Sequence, residues 1–107
     1  MPEFLAEQYE PGATESDLRR AAAMLGRVCI ELSATGVEVK LLSVHYMPSD
    51  EAVFFQFEAE TATRIADAAG RAGITLDRIT ETVSLGAPSG GQAVAGPWES
   101  ASFGQDT

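Results

Sequence analysis

Six elements in the order βαββαβ predict an α+β domain, a ferredoxin-like sandwich with two helices on one face of a four-stranded antiparallel sheet. Three features carry that prediction. Two helical stripes each end at a glycine, two β-rich runs separated by a turn lie between them, and a single strand stands at either end.

Phe4 to Tyr9 is short, apolar-rich and bounded by Glu10-Pro11-Gly12, so it reads as a strand running into a turn. Thr14 then resembles a helix N-cap, with Asp17 three residues on to face the first-turn amides. Leu18, Ala22, Leu25, Cys29 and Leu32 follow at spacings of four and three, one apolar stripe of an amphipathic helix. Gly36 supplies its end.

Val37 to Met47 is rich in β-branched and apolar residues and reads as the next strand. Pro48-Ser49-Asp50-Glu51 makes the turn, and Ala52 to Glu58 returns as the second strand of a hairpin. Thr61 caps a short helix through Ala72, with Ile65, Ala68, Ala69 and Ala72 as its apolar face and Gly73 closing it. Gly70 weakens that helix by about 1 kcal/mol relative to Ala. Last, Arg78 to Leu85 alternates Ile79, Glu81, Val83 and Leu85 against Arg78, Thr80, Thr82 and Ser84, the period of a strand.

Composition bounds the role of this chain. Its 107 residues suit one domain, and 45% apolar residues are enough to build a core. A net charge of −9 opposes binding to nucleic acid or to an anionic membrane, both of which reward clustered Lys and Arg. The segment MPEFLAEQYEPG lacks the basic start and apolar stretch of a signal peptide, so a cytoplasmic location is expected. A single cysteine, Cys29, permits no intrachain disulfide and no thiolate-rich metal site. The division expected is a ferredoxin-like domain over 1–85 and a flexible tail over 86–107. The tail holds five of the ten glycines and two of the five prolines, with Trp98 and Phe103 as its large aromatic residues.

The Val37–Met47 run contains a reversal. Val37, Val39 and Leu41 share one face, whereas Leu42, Val44 and Tyr46 occupy the other. A bulge near Leu41-Leu42 restores a single apolar face. Alternatively both faces are covered, one by helices and one by a partner. The following strand favours cover, because Val53, Phe55 and Phe57 load one face and Phe54 the other. A homodimer packed sheet against sheet would bury Phe54 and is the expected assembly.

The segments FLAEQYEPGATESDL, the turn at Asp50-Glu51, FFQFEAET and RAGITLDRI together resemble an actinobacterial family of small uncharacterised proteins. That family includes nickel-binding members, and its ferredoxin-like fold dimerises into an α/β barrel. The resemblance spans roughly Glu3 to Leu85. Glu7 falls where family members often carry Glu, and Gln8 replaces a frequent Arg. Ala68 stands at or near the position where nickel-binding relatives tend to have a His. The resemblance implies a dimeric barrel with a metal ion or small ligand as its occupant.

Candidate chemistry is sparse. His45 is the only histidine and lies beside Tyr46 just before a turn, a plausible pocket rim. It reads either as a metal ligand or general base, or as an ordinary surface or interface histidine. Glu7, Gln56, Glu58 and Glu81 lie on strands and either converge on the open sheet face, for acid–base work or cation binding, or stay solvated. Cys29 sits on the apolar helix stripe and reads as a buried, inert thiol. The glycines Gly86, Gly90 and Gly91 form no phosphate loop, and no nucleophile elbow or paired-His zinc motif occurs.

The sequence therefore points to a non-enzymatic homodimer that binds a metal ion, nickel among the candidates, or a small ligand. Glu7, His45, Tyr46 and Gln56 are the expected ligand-binding residues, and His45 the expected ligand of a divalent transition metal. No catalytic residue is assigned. The alternative is a small cofactor-independent enzyme of the isomerase or monooxygenase type, since dimeric α/β barrels host both activities.

Overall fold

A computed structural model describes residues 1–86, so the expected tail lies, beyond Gly86, outside the described residues. The elements are β1 (Glu3–Tyr9), α1 (Glu15–Ala34), β2 (Val39–Met47), β3 (Ala52–Ala59), α2 (Ala62–Arg71) and β4 (Arg78–Thr82). They form the expected ferredoxin-like sandwich, with antiparallel strands in the order β2-β3-β1-β4.

Local chemistry sets the helix ends. The Thr14 hydroxyl accepts from the Asp17 amide at 3.0 Å, and the Thr61 hydroxyl accepts from the Arg64 amide at 3.4 Å. Each cap satisfies a first-turn donor that has no partner within its helix. At the other end of α1, Val37 N–H donates to the Leu32 carbonyl and Gly36 N–H to the Ser33 carbonyl. This paired closure needs a residue at positive φ, and Gly36 supplies it at 94°. The end of α2 repeats the arrangement, with Ile74 donating to Ala69 and Gly73, at φ 77°, donating to Gly70.

One core lies between the helices and the sheet. Leu25, Val28, Cys29 and Leu32 come from α1, and Ile65, Ala68 and Ala69 from α2. Phe4, Ala6, Val39, Val53, Phe55, Phe57 and Ala59 come from the sheet. The rings of Phe55 and Phe57 are stacked with centroids 6.2 Å apart, and both are essentially shielded from solvent. Burying each contributes about 1.5–3 kcal/mol. Short alanines on α2 complement those large rings, so the strict alternation of β3 and the small face of α2 belong to one packing solution.

One of the two readings of β2 holds, and one strand boundary changes. The reversal within β2 is a β-bulge: the register against β3 shifts between Leu41, opposite Phe57, and Ser43, opposite Gln56. Leu42 is the extra residue, so Val39, Leu41, Val44 and Tyr46 all face the helices. The reversal therefore gives no support to cover on both faces. In addition, β4 ends at Thr82 rather than Leu85. Thr82 pairs with Glu3, and the residue preceding Glu3 is Pro2, which has no amide hydrogen to extend the ladder. Val83 and Leu85 are left in solvent, 78% and 90% exposed.

Candidate functional site

The register decides which strand residues meet on the face that no helix covers. Side chains alternate along each strand, so partners in the ladder form rows across the sheet. One row reads His45, Phe54, Glu7, Arg78 from β2 to β4. A second holds Ser43, Gln56, Leu5 and Thr80, and a third Lys40, Glu58, Glu3 and Thr82. At the turn end, Met47, Ala52 and Tyr9 stand side by side.

Three of the four expected site residues, Glu7, His45 and Gln56, thus share the open face. Tyr46 does not: it follows His45 in the same strand, and the pleat turns it to the helix side beside Leu18, Val44 and Val53. Glu81 is likewise on the helix side, opposite Phe4 on β1, and does not join Glu7. Cys29 is buried in the core, and burial pushes its thiol up from 9.0 to about 11.

Most polar groups of the face bond to one another. The Gln56 amide donates to Glu3 Oε1 at 3.1 Å and to Thr82 Oγ1 at 3.4 Å. Glu3 and Glu58 are direct cross-strand partners, an unfavourable pairing of like charges. It is relieved by that amide on Glu3 and by Lys40 Nζ, 4.0 Å from Glu58 Oε1. Arg78 Nε lies 3.8 Å from Glu7 Oε2 and donates to Thr80 Oγ1 at 3.2 Å. His45 takes part in neither network.

Backbone ties hold this row in place. The Asp77 amide donates to the Glu7 carbonyl at 2.8 Å, and the Asp77 carboxylate accepts from the Tyr9 amide at 2.7 Å. Across the sheet, Glu51 at φ 51° accepts the Glu10 amide on its carbonyl at 2.9 Å and the Gly12 amide on its carboxylate at 3.2 Å. The turn after β1 is thereby fastened to the β2–β3 turn.

The fit to a metal ion follows from the row itself. His45 and Glu7 are separated by two strand spacings, about 10 Å, with the Phe54 ring between them. Two such donors would in any case fall short of the three or four protein ligands that a transition-metal site uses. Among the described residues, no three His, Cys, Asp or Glu side chains gather at a point that would hold a metal. One chain alone does not fit the transition-metal site that the resemblance implies.

The face carries apolar surface that sequence reading passed over. Tyr9 is 59% and Met47 44% exposed, and both stand beside the His45–Phe54 pair. Arg78 was also unmarked. The alternation of β1 and β4 places Tyr9 and Arg78 in phase with Glu7 and Thr80, but the pairing that aligns the strands is not written locally.

Comparison with known proteins bears on the fold. No family model and no curated protein matches this chain. Among solved structures, SCO4226 from Streptomyces coelicolor A3(2) is similar, with a TM-score of 0.67 and 22% identity. The likeness covers 79% of this chain and 99% of that one. At such identity it shows a shared α+β architecture. Among the described residues no helix is long and apolar enough to cross a membrane.

Proposed function

We propose that this chain is a non-enzymatic binding protein that works as a homodimer, with the open sheet faces of two copies enclosing a small ligand. The observation that carries the reading is the row His45–Phe54–Glu7–Arg78. It sets the one histidine and an ion pair on either side of a half-buried phenyl ring, on the side of the sheet away from both helices. Leu5, Tyr9 and Met47 extend the apolar part of that face, and Gln56 marks its polar part. Two such faces brought together enclose a space with apolar walls and a few convergent polar groups, the usual make-up of a small-molecule site.

Metal binding enters as the finer version of this reading. A transition-metal ion, with nickel the first to test, would draw on His45 from both copies, since neutral imidazole is the strongest such donor on the face. An organic ligand suits the face better, because carboxylates and a single imidazole per chain make a weak set for a borderline-soft ion.

Sedimentation equilibrium and calorimetry test the proposal together. The expected result is twice the chain mass at micromolar concentration, with 8-anilinonaphthalene-1-sulfonate bound by the dimer and lost in Phe54→Glu. A monomer at every concentration that binds no such probe would overturn it.

A further inference from the structure

We draw no further inference here: the strongest candidate, the apolar groove of about 470 Å³ between α1 and the bulged edge of β2, where Ile30 and Leu42 are exposed, is an unpartnered face and nothing in the structure shows what covers it.

Discussion

His45 stands directly opposite Phe54 across the β2–β3 ladder, on the face that neither helix covers. The phenyl ring separates the imidazole from Glu7, the next residue of the row, and that separation shapes what the face can hold. It leaves an apolar centre flanked by polar ends.

Assembly through this face makes Phe54 the sensitive position. Phe54→Glu places a charge where two sheets would exclude water, and an unpaired desolvated charge costs several kcal/mol. Analytical ultracentrifugation should show the variant shifted to monomer. Its circular dichroism should stay native, because Phe54 lies outside the helix-side core. A variant that dimerises like the parent would remove this face as the interface.

Nickel binding, tested calorimetrically with Ni²⁺ on protein lacking a His-tag, should be weak and should depend on His45. Imidazole is the best transition-metal donor on the face, so His45→Ala should abolish the signal. Tight binding that survives the substitution would assign the ion to carboxylates instead.

Cys29 links stability to alkaline pH. Its folded thiol is raised to about 11 from 9.0, so above pH 9 the unfolded chain releases a proton that the folded chain still keeps. Stability from this group is fully present below pH 9 and is lost as pH rises toward 11, on the order of 2–3 kcal/mol in all. Urea midpoints measured at pH 8 and pH 10.5 should differ in the parent more than in Cys29→Ala. Equal differences would show that the thiol ionises freely in the folded state.

Asp77 holds the row in register by bonding to β1 at two points, through its amide and its carboxylate. Asp77→Ala removes the acceptor for the Tyr9 amide and should lower unfolding free energy by about 1 kcal/mol. Hydrogen exchange should quicken at Tyr9 more than at Phe55. Unchanged exchange at Tyr9 would mean that the amide has another acceptor.

A charge-deleting test addresses the crowded pair Glu3 and Glu58. Lys40→Ala takes away the cation 4.0 Å from Glu58 and leaves the two carboxylates facing each other. The expected loss is a few tenths of a kcal/mol, larger at low than at high salt because the groups are partly exposed. Thermal melts at 20 mM and 500 mM NaCl would reveal the difference, and salt-independent melting would count against repulsion at this pair.

How much was legible in the sequence varies with the range of the interaction. Thr14 and Thr61 were readable as caps, and Gly36 and Gly73 as helix ends, because each acts on amides or carbonyls within five residues. The alternation of Val53, Phe55 and Phe57 likewise declared the core face of β3. That His45 and Tyr46 lie on opposite faces was also available, since adjacent strand residues always do. Leu41-Leu42 was visible as an irregularity, but a bulge and a second covered face produce the same local pattern. Only pairing with β3 separated them, through the step from Phe57 to Gln56. The neighbours of Glu7 were beyond local reading altogether. Phe54 and Arg78 lie 47 and 71 residues away along the chain, and they meet Glu7 because packing of the helix-side core selects one register out of several that the strand patterns alone allow.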